Sequence, residues 1–474
     1  MLRSVLSLLG CAFSLCASDL MIGRGVVKIT PPAGTPMGGG FYIQVSTGVH
    51  DDLYCKALAF AEGASKAAIV SCDVESLHRP TVEAARALID RRTGIPGRNV
   101  MLTATHSHSG PEMTPMVIDG ATGEAGRLIR EFHAGLPGKI AEALRLAEAN
   151  FVPTRVWTGA GHEDSVSFNR RFLLKNGNVQ MNPGQLNPEI VRAMGPIDPS
   201  VSVVYFDTPD GKPLATAVNF ALHATTFGEL DFSADYPGVL AARLGEAKGS
   251  EMLTLFTNGC AGNINQVDVT SRHHPFGPGE SARVGTILAA TVLKTYKQMD
   301  AAGSGPLQVR SEIVSLPPLS YGEADVKKAR QVVELSRKQE LDFLDLVQAN
   351  RILNVMETHG GKPIPAEVQV IAIGDKVAWV GLPGEVFVEL GLAIKLASPF
   401  RLTLVSELAN GMLDYLPDRK AHEEGGYEVT TARCAEGCGE ALVDTARRLL
   451  VETYPVKYPS GARARGGMDG GTRR

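Results

Sequence analysis

Short apolar runs that break into loops of small or polar residues recur along this chain, and the spacing of each run predicts an element. Residues 66–72 read as a strand ending at Asp73, 81–92 have helical spacing, and 99–105 form a second strand. Residues 123–149 are helical, with Pro137 restarting a second segment. Strands 201–206 and 214–222 flank the turn Pro209-Asp210-Gly211, and Pro237 opens a helix from its first position. Strand 252–257 runs into the loop 258–265, and 282–299 are an apolar helix. Residues 322–360 form one or two charged surface helices, 367–382 a hairpin about Gly374-Asp375, and 402–408 a last strand. Alternation of strand and helix predicts an α/β fold of mixed β-sheets flanked by helices.

Composition changes this picture little. With 44% apolar and 21% charged residues the chain is an ordinary globular one, and 474 residues suit one large domain or two closely packed halves. A net charge of −4 without a basic stripe gives no basis for nucleic-acid binding. The N-terminus does add something. Arg3, an apolar run through Cys16 and the small Ala17-Ser18 make residues 1–18 a signal peptide, so the protein is expected to be secreted or periplasmic. Lipid anchoring at Cys11 is disfavoured because the apolar run continues past it. Cys55 and Cys72 read as core residues, and Cys434 with Cys438 as a pair able to close locally. From residue 460 a Gly- and Arg-rich tail is expected to be disordered.

Candidate chemistry sits where apolar strands end. Thr105-His106-Ser107-His108-Ser109-Gly110-Pro111 opens a loop, and His106 and His108, two apart, face one side if the segment is extended. Neutral imidazoles so placed bind a metal or move protons. His223 ends another apolar strand. In Pro383-Gly384-Glu385 the proline is expected to begin a helix, putting Glu385 in a first turn where the helix dipole keeps it ionised. Tyr415 and Tyr427 fall in an irregular polar loop. Cys260, with no base nearby in sequence, reads as a small packing residue.

From about residue 23 to 454 the chain resembles the catalytic domain of the neutral, non-lysosomal ceramidase family. The resemblance is carried in order by Thr47-Gly48-Val49-His50-Asp51, Ala104-Thr105-His106-Ser107-His108-Ser109-Gly110-Pro111, Asn169-Arg170, Asn219-Phe220-Ala221-Leu222-His223, Ala261-Gly262 and Pro383-Gly384-Glu385. It implies a catalytic domain over residues 19–459 and a Zn2+ held by His106, His223, Glu385 and Tyr415. It further implies His108 as proton shuttle, Tyr427 as oxyanion donor, and Arg170, Gly39 and Asn265 as groups that orient substrate. Two departures stand out. The family's Gly-Asp-Val-Ser-Pro-Asn is here Gly262-Asn263-Ile264-Asn265-Gln266-Val267, without the aspartate or the serine. The chain also stops where that family's C-terminal immunoglobulin-like domain would start, so none is expected.

The expected activity is zinc-dependent hydrolysis of an amide, with an N-acyl sphingolipid such as ceramide as substrate and possible contact with a membrane surface. Hydrolysis of a non-lipid ester or small amide is the enzymatic alternative, and an exported, non-catalytic binding protein the other. Persistence of all four candidate ligands argues against the last.

Overall fold

The computed structural model describes residues 20–39, 43–303, 305–336, 339, 341, 343–356 and 360–455. The expected leader, Cys11 and the tail from 460 lie outside them. Three larger sheets organise the chain, each with a parallel pair at one edge. In the first, the strand order is Val100–Ala104, Ser65–Cys72, Tyr54–Glu62, Met21–Lys28, Val152–Pro153. In the second it is Leu253–Asn258, Pro213–Phe220, Ser200–Asp207, Arg155–His162, Asp300–Ala301. The third runs Leu307–Leu316, Ile364–Ile373, Val377–Gly381, Leu402–Ser406.

In each sheet the edge pair is parallel and the other pairings are antiparallel. Parallel neighbours need a long crossover, supplied here by the helices Arg79–Arg92, Asp235–Lys248 and Val388–Ala397. The three sheets share one core, in which Phe60 and Ile69, Phe206 and Leu255, and Trp379 and Leu404 meet from the first, second and third. Helices cover the outward faces, for example Gly123–Glu148 on the first and Cys438–Thr453 on the third. Strands covered on both faces read as unbroken apolar runs, and Val100–Ala104 is buried at every position. Among the described residues no helix is long and apolar enough to cross a membrane.

Several expectations are corrected. Pro137 does not restart the helix Gly123–Glu148, which runs through it. Ile129, Leu136, Ile140 and Leu144 stay in phase on the core, and their burial offsets the roughly 3 kcal/mol that an interior proline costs. Pro237 is the third residue of its helix, which begins at Asp235. Cys55 and Cys72 are directly opposed on neighbouring strands and joined in a disulfide, whereas Cys434 and Cys438 are free, buried thiols. With a sequence separation of 17 between the joined cysteines, the crosslink contributes about 3 kcal/mol by restricting the unfolded chain.

Candidate metal centre

The carboxyl ends of the three parallel pairs point toward one place, and the loops leaving them carry the candidate ligands. His106 follows Val100–Ala104, His223 follows Pro213–Phe220, and Glu385 follows Val377–Gly381. Ligands of open α/β sheets collect at such ends because the strands stop there and their loops part.

His106 is not extended, as the two-residue spacing suggests, but left-handed with φ of 65°. That turn directs its Nδ1 at the Glu75 carbonyl, 2.8 Å away. His223 Nδ1 likewise meets the Ala261 carbonyl at 2.8 Å. A carbonyl only accepts, so each Nδ1 carries the proton and each Nε2 presents a lone pair inward. His108 Nε2 lies 3.2 Å from His106 Nε2, and its Nδ1 faces the Gly39 carbonyl at 3.4 Å. Ligand atoms of the three histidines all fall within 4.8 Å of one another. Glu385 Oε2 is 3.0 Å from His223 Nε2 and 3.5 Å from His106 Nε2. Converging lone pairs repel unless a cation or proton lies between them, so this donor set fits zinc.

Electrostatics agree. Burial disfavours charge on His106, but the facing Glu385 carboxylate outweighs it and lifts the imidazole to about 9. Burial together with the Arg170 and His106 charges pushes His223 down to about 4, and burial with the same imidazoles holds His108 well below its usual value. Burial alone would raise Glu385, yet His106 and His223 hold it well below the carboxylate range. Without a metal, a single proton on His106 balances Glu385.

The helix-dipole expectation for Glu385 is overturned. Glu385–Val386 is a short strand parallel to Tyr415–Leu416, and the helix begins only at Val388. The Glu385 N–H donates to the Asp414 carbonyl at 2.8 Å, so strand pairing fixes it and imidazoles keep it ionised. That pairing puts Tyr415 directly opposite Glu385, in a short strand and not in an irregular loop. Tyr427 starts the helix Tyr427–Thr431 with its ring 5.7 Å from that of Tyr415. Burial holds both hydroxyls protonated.

Arg170 is buried. Its Nε donates to Glu428 at 2.8 Å and its Nη2 to the Gly262 carbonyl at 2.8 Å, while Nη1 stands 3.2 Å from His223 Nε2. The guanidinium also lies over the Tyr415 ring, 5.3 Å from its centroid. These donors are directed at protein groups, so Arg170 shapes the site. Asn265 is buried on the strand Ile264–Asn265, its Oδ1 accepting from the Val267 N–H at 3.1 Å. Gly39, at φ of 83°, packs against the His108 ring, where a Cβ would come within 2.3 Å of Nδ1. Only glycine fits there.

Sequence reading missed the supports: the carbonyls of Glu75 and Ala261, and the buried carboxyls of Glu407 and Glu428. Glu407 follows an apolar strand as His106 does, a signal that was present; Glu428 had none beyond its neighbour Tyr427.

Three sheets on one core, with a histidine-carboxylate cluster at their carboxyl ends, define an α/β protein with a site suited to a metal cation. The chain belongs to the neutral/alkaline non-lysosomal ceramidase family, whose N-terminal profile matches residues 20–299. It is 29% identical over 221 residues to the neutral ceramidase of Pseudomonas aeruginosa, covering 44% of this chain and 31% of the relative. Neutral ceramidase B of Dictyostelium discoideum is 26% identical over 220 residues, or 44% of this chain and 29% of the relative. The chain thus spans about a third of the length of the curated relatives it matches. The crystal structure of the Pseudomonas aeruginosa neutral ceramidase superposes with a TM-score of 0.72 at 21% identity, covering 93% of this chain and 76% of the other. That likeness establishes the shared fold.

Proposed function

We propose that this protein is a zinc-dependent hydrolase that cleaves the amide bond of an N-acyl lipid of the ceramide type. The observation that carries the reading is the cluster of His106, His223 and Glu385, with ring nitrogens turned inward by backbone carbonyls, in a chain of this family. His106, His223, Glu385 and Tyr415 hold the ion. When bound, zinc supplies Lewis acidity toward a carbonyl and toward water. His108, half-buried and kept neutral, is the base that takes a proton and passes it to the leaving amine. Tyr427, held protonated, donates to the oxyanion.

The surface beside the site supports a lipid. Val45, Val49, Leu230 and Phe276 are each more than two-fifths exposed. Their segments touch: the Thr47 N–H donates to the Leu230 carbonyl at 2.7 Å, Val49 pairs with Phe232, and Gly228 lies against Phe276. A groove of about 430 Å³ runs between Thr47, Leu230 and Phe276, its wall also carrying Glu229, Asp231 and His274, so that charged groups border the apolar ones. The strand Gln44–Val45 pairs with Pro36–Met37, just before the glycine that packs on His108. A polar cavity of about 210 Å³ lined by Phe168, Gln266, Asp268 and Arg283, of which Phe168 is the strand partner of Asn265, favours the second reading, a small soluble amide or ester. Metal analysis followed by turnover assays on short-chain ceramides, N-acyl amino acids and esters separates them. Zinc with turnover confined to the soluble amides or esters would reject the lipid.

Asn265 stands at the position of the family's serine. Its amide is not a nucleophile, so no acyl-enzyme forms on it and its role is to hydrogen-bond substrate. Asn265→Ala is expected to lower turnover about tenfold, as for one lost orienting contact. An acyl adduct seen by mass spectrometry during turnover would contradict this. Export is part of the same proposal, supported by the leader sequence and by a disulfide of the kind oxidising compartments allow. Mature protein recovered with Met1 intact from the cytoplasm would count against it.

A further inference from the structure

The three loops that bring His106, His223 and Glu385 together leave three different sheets, and one residue touches all three, the first through its backbone and the other two through its side chain. Glu407 follows Ser406, the last residue of Leu402–Ser406, and is 0% exposed. Toward the first sheet, its carbonyl accepts from Thr103 Oγ1 at 3.2 Å, three residues before His106. Toward the second, its N–H donates to the Asn258 carbonyl at 3.2 Å, and its Oε1 accepts from Asn258 Nδ2 at 3.2 Å. The Ala261 N–H donates to the same carboxyl, and the Ala261 carbonyl holds His223 Nδ1. Toward the third, Oε2 accepts the Val386 N–H at 2.7 Å, one residue past Glu385.

Burying a carboxyl is costly, and an apolar side chain of similar volume would fill the junction of the sheets at lower cost. The carboxyl is therefore there for what it binds. The geometry points to Glu407 as the positioning residue of the metal centre, its carboxyl setting the placement of His223 and Glu385 relative to one another, beside the strand that leads to His106 and that its backbone carbonyl holds, without touching metal or substrate. This rests on the metal-hydrolase reading above.

Because both carboxyl oxygens face N–H donors, Glu407→Gln keeps the shape but turns an amide NH2 toward one of them. The expected result is a zinc dissociation constant 10- to 100-fold higher, measured by competition with a chromophoric chelator, and a fall in kcat of about tenfold or more with KM within about threefold. Amide hydrogen exchange of the metal-free protein should quicken at Val386 and Ala261. Asp207→Asn is the matched control. Asp207 is a buried acceptor for Arg155 and Trp157 in the second sheet, and its loss should lower stability and leave zinc affinity unchanged. Should Glu407→Gln not fold, Asn258→Leu removes one donor to the carboxyl and is expected to weaken zinc binding about threefold or more. An unchanged zinc constant in the folded variant overturns the positioning role. Should wild-type protein bind no zinc, the metal-hydrolase reading falls and this inference with it; zinc bound by wild type, with an unchanged constant in Glu407→Gln or unchanged exchange at Val386 and Ala261, overturns the positioning role alone.

Discussion

Glu385→Ala is expected to abolish zinc binding and to lower amide hydrolysis by at least about a thousandfold. The carboxylate is the negative charge against which His106 and His223 are set, 3.0 Å from one Nε2 and 3.5 Å from the other. Without it, three imidazoles share a buried space with the Arg170 cation, and the field there disfavours a divalent ion. The fold should survive, because the Glu385 backbone keeps its bond to Asp414 and its pairing with Tyr415. Glu385→Gln, which preserves volume and removes charge, should lose zinc as well. Elemental analysis of purified variants decides the matter: a full equivalent of zinc in either one removes Glu385 from the site.

How much of this was legible in the sequence depended on the range of the interaction involved. The strands at residues 66–72, 99–105 and 402–408 were readable because both faces of the sheets are covered, which leaves apolar runs bounded by small residues. His106 and His223 were readable because each stands just past such a run. At Glu385 the local signal and the structure differ. Pro383 suggested a helix start, whereas Gly384 at φ of 83° and pairing with Tyr415, thirty residues later, make a strand. The Cys55–Cys72 disulfide depends on register between two strands, which two cysteines in separate apolar runs do not reveal. At Pro137 tertiary burial overrides the local preference of proline.

Arg170 gives the second large expected effect, and here too the contacts span the chain. Asn169-Arg170 reads as readily as a surface ion pair as it does a site residue, yet Arg170 and Glu428 are 258 residues apart and both buried. Arg170→Met is expected to cost about 3 kcal/mol of stability, because it leaves the Glu428 carboxylate buried with part of its compensation gone. The cost stays at the low end of the usual range since Arg171 Nη1 still approaches Glu428 at 3.4 Å. Adding Glu428→Gln to Arg170→Met should recover much of the loss by removing the stranded charge. Activity should not recover in the pair, for Tyr415 would still lack the guanidinium over its ring and Gly262 the donor to its carbonyl. Urea denaturation of the two single variants and the double, with turnover measured on each, makes the test. If the double variant regained wild-type turnover, Arg170 would be a structural cation only, and its contacts to Tyr415 and His223 would have no part in the chemistry.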